Sequence, residues 1–573
     1  MSYPLLQIKD LSIDFVTESA TTSAVKNISF EINCGETVAI VGESGSGKTV
    51  TSLSILKLLP SPAAKYKCGE ILFSEDGNPP LNLLTLDEKD LRKIRGNKIS
   101  MIFQEPMTSL NPVKTCGSQV IEALRTHQDI LQKEAAEKTI ELFRQVKLPD
   151  PASMLHRYPH QISGGQKQRV MIAMAMSCQP SLLIADEPTT ALDVTVQKTI
   201  LQLIKELQIN KNMSVIYITH DLGLVAEIAD KVIVMYKGNV VESGAIKDIF
   251  LNPKHPYTKA LLSCRPGANS KGKRLPVISD FLGEGAAVPE QIHLSKMEDK
   301  SQLIQQTETG HPLLKVQHLK VYFPIKKNFV GKILKEFKAV DDVSFMVKKG
   351  ETLGLVGESG CGKTTLGRAL IRLIPPTSGN IFFNGKNIAH IPDEQLRKMR
   401  KDIQIIFQDP FGSLNPRLTI GQAINEPMKI HEILPTEKQR KEKIIGLLEK
   451  VDLRPEYFNR YPHEFSGGQR QRICIARALG LNPDFIICDE SVSALDVSVQ
   501  AQVLNLLNDL KGELGFTCIF ISHDLGVVHY ISDRIMVMNK GKIEEAGTAD
   551  EIYYHPKKEY TQKLIASIPT VNF

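Results

Sequence analysis

The stretch Thr37-Val-Ala-Ile-Val41-Gly42-Glu-Ser-Gly-Ser-Gly-Lys48-Thr49 decides the fold of the first half of this chain. Five residues suited to a buried strand run directly into a glycine-rich turn, and the residues from Leu53 to Leu59 are expected to continue as a helix. The same order recurs from Thr352 to Thr364, followed by a predicted helix from Leu366 to Ile374. Each half is therefore predicted to contain a buried strand, a tight loop and a helix.

The two copies continue in register beyond this stretch. Lys363 lies 315 residues after Lys48, and Gln408 lies 304 residues after Gln104, so the first copy is 11 residues longer between these points. The extra residues fall around Tyr66 to Leu84, where glycine and proline predict a longer surface loop. The spacing is then constant at 303 for four further pairs, which indicates two structural copies: Ser163 and Ser466, Asp186 and Asp489, Asp193 and Asp496, and His220 and His523.

Length and composition agree with two domains. A chain of 573 residues is too long for one core, and the repeat predicts domains at residues 1–262 and 313–573. Residues 263–312 are rich in glycine, proline and polar residues and are predicted to form a flexible linker. A linker of about 50 residues has a typical end-to-end distance of roughly 35 to 42 Å, which permits several domain arrangements.

Charge, cysteine and hydropathy patterns exclude several classes of protein. A net charge of +6 is mild for this length and does not favour a nucleic-acid partner. Nine scattered cysteines without a Cys-x-x-Cys pair indicate free thiols, and no apolar run reaches the length of a membrane span. A soluble, cytosolic chain is therefore expected. A basic cluster leaves two interpretations, a membrane-surface patch or a solvated loop, and comprises Lys326, Lys327, Lys332, Lys335 and Lys338.

The glycine-rich loops have the composition of phosphate-binding loops. Glycines let consecutive backbone N–H groups turn toward a phosphate at a helix N-terminus, where the helix dipole also favours negative charge. Lys48 and Lys363 are expected to reach the β- and γ-phosphates of a nucleotide, and Thr49 and Thr364 offer a hydroxyl to Mg²⁺.

A pair of carboxylates ends an apolar run in each half. Asp186 and Glu187 follow Leu182-Leu-Ile-Ala, and Asp489 and Glu490 follow Phe485-Ile-Ile-Cys. Such runs are typical of central parallel strands, whose carboxyl ends bind ligands. An acidic pair alone usually marks a turn and a helix cap. The phosphate loop upstream favours instead a Mg²⁺ ligand followed by a carboxylate that polarises water.

The complete order of motifs resembles the ATP-binding-cassette ATPases. It runs from the phosphate loop through Gln104 or Gln408, a Ser-Gly-Gly-Gln segment, the acidic pair and Ala-Leu-Asp to a histidine that ends a strand. The resemblance covers about residues 5–262 and 313–568. It implies an α/β fold with two tandem P-loop nucleotide-binding domains, each containing a mainly parallel core sheet, an antiparallel β subdomain and a helical subdomain. It also implies an ATP hydrolase that uses ATP and Mg²⁺.

The resemblance assigns roles to residues of both halves. Glu187, Glu490, His220 and His523 are the implied catalytic residues, and each Ser-Gly-Gly-Gln segment is implied to complete the ATP site of the opposite domain. Mg²⁺ is assigned to Thr49, Gln104, Asp186, Thr364, Gln408 and Asp489. The residues assigned to the nucleotide are Gly42, Glu43, Ser44, Gly45, Ser46, Gly47, Lys48, Thr49, Gly357, Glu358, Ser359, Gly360, Cys361, Gly362, Lys363, Thr364, Ser163, Gly164, Gly165, Gln166, Ser466, Gly467, Gly468, Gln469, Phe15 and Phe323.

Three of these assignments have a simpler alternative. Phe15 and Phe323 match the aromatic residue that stacks on adenine in the family, but each is also an ordinary strand residue. Cys361 is either an oxidation-sensitive thiol at a helix N-terminus or a small side chain at a variable loop position, and the second interpretation is favoured.

Finer motifs resemble one branch of this family, the dipeptide, oligopeptide and nickel importers, and in particular the fused ATPases of glutathione and peptide uptake. They are Phe103-Gln-Glu-Pro, Phe407-Gln-Asp-Pro, Tyr-Pro-His at 158–160 and 461–463, and the tail Asn252-Pro-Lys-His-Pro-Tyr-Thr258. The second tail departs from this pattern and reads His555-Pro-Lys-Lys-Glu-Tyr-Thr561.

This branch implies peptide import powered from the cytoplasmic face of the bacterial inner membrane. Two transmembrane permease subunits would dock on helical inserts after Gln104 and Gln408, and an extracytoplasmic binding protein would deliver cargo. The alternative is a soluble tandem ATPase that acts on ribosomes or nucleic acid. A charged helical linker or a basic stripe would favour that alternative, and the sequence has neither.

Overall fold

The computed structural model describes residues 3–16, 20–75, 77–104, 109–189, 192–267, 270–282, 312–327, 333–493 and 495–568. Predictions for Lys332, for Ala191 and Ala494 of the Ala-Leu-Asp segments, and for linker residues 283–311 fall outside these ranges. The chain divides into two compact units. None of the described helices is both long and apolar enough to cross a membrane.

The described residues of the first unit form a six-stranded sheet around the predicted strand Thr37–Val41. That strand is fully buried and pairs in parallel with a strand on either side. Five strands are parallel and the edge strand Asn239–Ala245 is antiparallel to its neighbour. The strands lie in the order Asn239–Ala245, Lys231–Tyr236, Thr37–Val41, Ser214–Thr219, Leu182–Asp186 and Ile99–Ile102.

An antiparallel sheet packs beside this core sheet. Its strands lie in the order Thr21–Ile32, Leu6–Val16, Ala64–Phe73 and Leu81–Asn82. Aliphatic side chains of both sheets, such as Ile8 and Ile40, belong to one buried cluster. Burial of this apolar surface stabilises the two sheets as one layered unit.

The helices of the first unit flank the core sheet and form a separate helical subdomain. A second buried cluster, which includes Val120, Phe143 and Met171, joins that subdomain to the sheet. The helices are Lys48–Ile55, Glu88–Ile94, Cys116–His127, Gln132–Gln145, Pro151–Met154, Gly164–Ala175, Val194–Lys211, Leu222–Ile228, Ile246–Leu251, Pro256–Ser263 and Ser279–Leu282.

The second unit repeats this architecture. Its described core strands lie in the order Ile403–Ile406, Phe485–Asp489, Thr517–Ile521, Thr352–Val356, Arg534–Asn539 and Lys542–Thr548. Its antiparallel sheet has the order Ile333–Val347, Leu314–Lys327, Ser378–Phe383 and Lys386–Asn387. The helices are Lys363–Leu370, Asp393–Met399, Pro410–Ser413, Ile420–Ile430, Glu437–Lys450, Gly467–Leu479, Val497–Leu514, Leu525–Ile531, Ala549–Tyr554 and Glu559–Ala566. The predicted α/β fold is confirmed.

Two local predictions from the sequence differ from the structure. The helix after each phosphate loop ends at Ile55 or Leu370, before the predicted Leu59 or Ile374. The additional residues of the first copy are only partly a loop, because Ala64–Phe73 has 10 residues where Ser378–Phe383 has six. Glycine and proline in the connection at 74–80 signalled a turn, but they did not show that the strand before it is also longer.

The first part of the predicted linker packs on the second unit, which includes Cys264–Val277. The backbone N–H of Leu275 donates to Asn505 Oδ1 at 2.9 Å, and Asn505 Nδ2 donates to the Leu275 carbonyl at 2.8 Å. Leu275 is buried, and the Tyr530 hydroxyl lies 3.0 Å from the carbonyl oxygen of Lys273. The sequence pattern gave no sign of this docking, since it depends on groups more than 200 residues away.

Candidate nucleotide-binding and hydrolysis sites

The phosphate loop of each unit joins a buried strand to a helix through left-handed glycines. Gly47 has φ 102° and Gly362 has φ 111°, and each caps the N-terminus of the next helix. A Cβ atom on Gly42 would lie 2.2 Å from the Met235 carbonyl oxygen, so only glycine fits there. A Cβ on Gly45 would meet no atom within 4 Å. The loop is therefore rigid on its protein side and open where a phosphate would lie.

The lysine of each loop is buried and folds back over its own backbone. Lys48 Nζ donates to the carbonyls of Gly42 and Glu43 at 2.8 and 2.9 Å. Lys363 Nζ donates to Gly357 and Glu358 at 2.6 and 3.0 Å. A buried ammonium group attracts an anion strongly, because little water screens its charge.

The acidic pair lies at the carboxyl edge of the core sheet, as the sequence predicted. Thr49 Oγ1 lies 3.4 Å from Asp186 Oδ1, and Thr364 Oγ1 lies 3.0 Å from Asp489 Oδ1. Burial raises the pKa of Asp186 to about 6, against the opposing effect of the Thr49 hydrogen bond. Burial also raises the pKa of Asp489. Each buried carboxylate is therefore in a position that favours a cation partner.

The second acid of each pair is held by two distant segments of the chain. Glu187 accepts a hydrogen bond from Gln104 Nε2 at 2.9 Å and lies 3.3 Å from His220 Nδ1. Its backbone N–H donates to the Ile218 carbonyl of the neighbouring strand at 3.0 Å. Its φ of 46° is left-handed, a conformation that costs free energy for a residue other than glycine.

Glu490 repeats this arrangement in the second unit. Gln408 Nε2 donates to Glu490 Oε2 at 2.8 Å, and His523 Nδ1 lies 3.6 Å from the same oxygen. Its φ is 48°. Burial would raise the pKa of Glu490, but His523, through a hydrogen bond and its charge, and Lys363 together lower it below the usual range. The fold therefore brings the predicted glutamine, glutamate and histidine together in both halves.

The Ser-Gly-Gly-Gln segments each begin a helix and form a capping box. Ser163 Oγ accepts from the Gln166 N–H at 3.3 Å, and Gln166 Oε1 accepts from the Ser163 N–H at 3.1 Å. Ser466 and Gln469 form the same pair at 3.4 and 3.1 Å. Ser163, Gly164, Ser466 and Gly467 are exposed, as an anion-binding helix N-terminus requires. The glutamines act here as helix caps, and their assignment to a nucleotide stays a prediction.

The structure also describes the residues whose roles were left open. Phe15 is half-buried against the core cluster, and Phe323 is 40% exposed near the end of its strand; adenine stacking by either stays a prediction. Burial raises the pKa of the Cys361 thiol, although Lys363 opposes this effect. A thiol with a raised pKa reacts slowly, which supports the interpretation of Cys361 as a small packing residue.

The donor set of each site fits Mg²⁺. Hydroxyl, carboxylate and amide oxygens are the hard ligands that Mg²⁺ prefers, and it usually takes only one or two carboxylates beside phosphates and water. Asp489 Oδ2 is buried and has no hydrogen-bond partner in the part of the chain that the structure describes. This carboxylate oxygen is therefore available to bind a metal ion. Within the same residues, no group of three or more His, Cys, Asp or Glu side chains could hold a metal ion without phosphate.

Sequence reasoning missed one pair of residues at these sites. Tyr257 and Tyr560 lie in the tails, and their hydroxyls accept hydrogen bonds from the phosphate-loop N–H groups of Glu43 and Glu358. The tails resembled those of importers, but no residue pattern within either tail indicated a contact with a loop about 200 residues earlier. The constant spacing of 303 between the two tyrosines is the signal that could have identified them.

Two sheets, a phosphate loop, an acidic pair and a strand-ending histidine define a nucleotide-hydrolysing P-loop domain, and this chain contains two. The ABC transporter family matches residues 25–190 and 340–493. The chain belongs to that family and is an ABC-type ATPase. A second family, described as the oligopeptide/dipeptide transporter C-terminal region, matches residues 241–284 and 544–573.

Individual relatives are similar over the whole chain. The glutathione import ATP-binding protein GsiA of Salmonella paratyphi A is 48% identical over 576 aligned residues, which cover 100% of this chain and 90% of the relative. The protein of the same name from Escherichia coli K12 is 48% identical and is covered to 89%. Among solved structures, the dimeric ATP-binding cassette MJ0796 bound to ADP and Pi is 27% identical over 41% of this chain and 98% of its own, with a TM-score of 0.38.

Proposed function

We propose that this chain powers the import of small peptides, glutathione among them, across the cytoplasmic membrane of a bacterium. The observation that carries the proposal is the 48% identity to glutathione import ATP-binding proteins along the entire chain. Both tails also match the oligopeptide/dipeptide transporter C-terminal region. An ATPase domain alone does not indicate which cargo is transported. The match of the tails therefore adds support for a peptide as the cargo.

The site geometry supports a division of labour within each half. Lys48 and the loop N–H groups bind the phosphates of ATP, and Glu187 orients a water molecule toward the γ-phosphate and accepts its proton. His220 contacts the carboxylate of Glu187 and also binds the γ-phosphate of ATP. The residues Lys363, Glu490 and His523 do the same in the second half. The expectation that each Ser-Gly-Gly-Gln segment completes the site of the other half remains part of this proposal.

Mg²⁺ would be held by the hydroxyl, carboxylate and amide groups assigned to it. Thr49, Asp186 and Gln104 form this set in the first half, and Thr364, Asp489 and Gln408 form it in the second. Bound Mg²⁺ neutralises charge on the phosphate oxygens. Gln104 and Gln408 also donate hydrogen bonds to the catalytic glutamates, so a movement of either glutamine displaces the carboxylate that activates water.

A groove in the second unit supports permease docking beside Gln408. Its cavity has a volume of about 400 Å³, and it lies between the core strand Ile403–Ile406 and the helix Ile420–Ile430. Its lining is mainly apolar and includes Phe407 and Pro427. A short helix of a transmembrane permease fits such a groove, because an apolar helix face buries well in an apolar cleft. Pressure on Phe407 would reach Glu490 through its neighbour Gln408.

This assembly would place the chain on the cytoplasmic face of the inner membrane as a peripheral subunit. Two permeases would form the pathway, and an extracytoplasmic binding protein would supply the cargo. The competing function, a soluble ATPase acting on ribosomes or nucleic acid, is not favoured by any observation on the described residues.

The experiment is affinity purification of the chain from its native membrane, followed by uptake assays with labelled glutathione and labelled dipeptides. We expect two integral membrane proteins to copurify and uptake to fail in a strain that carries Glu187→Gln and Glu490→Gln. The cargo whose uptake fails identifies the substrate class. Copurification of ribosomal proteins without membrane proteins would contradict the proposal.

A further inference from the structure

The tail after the last core strand of each unit reaches back to the phosphate loop. Tyr257 lies in the helix Pro256–Ser263 and is completely buried. Its hydroxyl oxygen accepts a hydrogen bond of 2.9 Å from the backbone N–H of Glu43, the second residue of the loop. The side chain therefore connects the tail directly to the loop that binds phosphate.

The second unit makes the same contact from a different sequence. Tyr560 accepts a hydrogen bond of 3.1 Å from the Glu358 N–H. The tail around it reads Lys-Lys-Glu-Tyr, where the first tail reads Lys-His-Pro-Tyr. The departure of the second tail from the family pattern thus leaves the tyrosine at the same structural position, and two independent units contain the same bond.

A carboxylate on the last strand holds each tail in place. Glu242 accepts hydrogen bonds from the N–H groups of Lys254 and His255 at 2.8 and 3.0 Å. In the second unit, Glu545 accepts from Lys557 and Lys558 at 2.8 and 3.2 Å. Such anchoring fixes the start of the tail helix and hence the position of the tyrosine.

The contact fixes one peptide plane of the loop from both sides. The peptide bond between Gly42 and Glu43 presents its N–H to Tyr257 and its carbonyl oxygen to Lys48 Nζ. A Cβ atom on Gly42 would lie 2.2 Å from the Met235 carbonyl oxygen, so the loop passes close to that strand at this peptide plane. When Lys48 turns from this carbonyl to a phosphate, the tyrosine remains as the partner that holds the plane in its orientation.

We propose that Tyr257 and Tyr560 are positioning residues that hold the two phosphate loops in the conformation that binds ATP. The tail thereby acts on nucleotide affinity without touching the nucleotide. This inference rests on the assignment of Lys48 and Lys363 to phosphate binding.

Removal of one hydroxyl tests the proposal in proteins with a single working loop. Tyr257→Phe is made in a Lys363→Ala background and Tyr560→Phe in a Lys48→Ala background, and a fluorescent ATP analogue is titrated into each full-length protein. We expect the dissociation constant to rise about fivefold, because the loop N–H loses a buried hydrogen bond that holds its peptide plane. Tyr236→Phe is the matched control, since its ring packs 4.3 Å from that of Tyr257. Its dissociation constant should equal that of the background.

The outcomes separate a positioning role from a structural one. A lower melting temperature with an unchanged dissociation constant would show that the tyrosines only stabilise the tail, and would overturn the proposal. Tyr257→Phe is also made in the Lys48→Ala background, and an equal effect of this substitution on the two loops would overturn the proposal as well. If a variant does not fold, hydrogen exchange of the Glu43 and Glu358 amides in the unaltered chain replaces the titration, and fast exchange contradicts the proposal. If a single-loop background binds no nucleotide, the loop assignment itself is wrong.

Discussion

The helix after the Asp-Glu strand makes a contact in the second unit that its counterpart in the first unit does not make. In the second unit Asn505 is 3% exposed and binds both backbone groups of Leu275, whereas its counterpart Gln202 in the first unit is exposed. Tyr530, which also contacts this segment, has Glu227 as its counterpart. The acidic pair and the histidine are the same in both units, and the phosphate loops differ only at Ser46 and Cys361. The units therefore share their chemistry and differ in what is packed around it.

This comparison teaches that sequence repetition sets a minimum of similarity. The motifs assigned to the nucleotide keep nearly the same residues in both units, as expected if the phosphate geometry is the same at both sites. This restriction does not apply to the outer surfaces of the helices. In the second unit, one of these surfaces binds part of the segment that connects the two domains along the chain. The four predictions that follow test the shared part first and the differing part afterwards.

The largest effect is expected at the two glutamates proposed to be catalytic, where the units are most alike. Glu187→Gln or Glu490→Gln removes the carboxylate that accepts a proton from water, and the double variant should lose ATP turnover by about 10²- to 10⁴-fold while still binding ATP. Steady-state hydrolysis and nucleotide titration measure the two quantities. If the units are equivalent, the two single variants should have the same rate. Undiminished hydrolysis in the double variant would contradict the assigned role.

A smaller effect on stability is expected at the first acid of each pair. The pKa of Asp186 is about 6 in the folded chain, above its ordinary value of 3.8. Between these two pH values the folded chain holds a proton on this carboxyl group that the unfolded chain has lost. Its contribution to the free energy of unfolding is therefore greatest below the ordinary pKa, decreases as the pH rises toward 6, and is constant above that. Asp186→Asn removes the free-energy cost of ionising this buried carboxyl group, and it should stabilise the nucleotide-free chain by ~3 kcal/mol at most near neutral pH.

The control for this variant is Asp489→Asn. The positive charge of Arg368 opposes the raised pKa of Asp489, and Asp186 has no such arginine among the causes of its shift. We therefore expect a smaller gain in stability from Asp489→Asn. Denaturant unfolding at several pH values measures both, and a loss of stability on Asp186→Asn would show that burial is not the dominant influence on this carboxyl group.

The docked linker segment provides the test of the difference between the units. Asn505→Leu removes the side-chain amide that binds the N–H and carbonyl of Leu275 and should cost about 1–3 kcal/mol. Gln202→Leu, at the exposed counterpart, should change stability by less than about 0.5 kcal/mol. Hydrogen exchange at residues 271–277 should increase in the first variant only. Equal exchange in both variants would mean that Asn505 does not hold the segment.

The smallest effect is expected at the residue that differs between the two phosphate loops. Cys361→Ser makes the second loop identical to the first, which has Ser46, and ATP turnover should change by less than about twofold because both side chains are small and buried. Hydrogen peroxide should inactivate the variant and the unaltered protein at the same rate, since burial keeps the thiol protonated. Protection by the substitution would restore the interpretation of Cys361 as a redox-sensitive thiol.

The two-domain α/β fold, the order of strand, loop and helix, and most residues of the candidate site could be predicted from the sequence. These features depend on local patterns, such as an apolar run ending in Asp186 or glycines spaced around Lys48, and each pattern occurs twice at constant spacing. The contacts between distant groups could be seen only in the folded chain. Gln104 with Glu187, Tyr257 with Glu43, and Leu275 with Asn505 are hydrogen-bonded pairs separated by 83, 214 and 230 residues. A hydrogen bond requires approach within about 3 Å, and packing of the whole domain, rather than any local residue pattern, sets that distance.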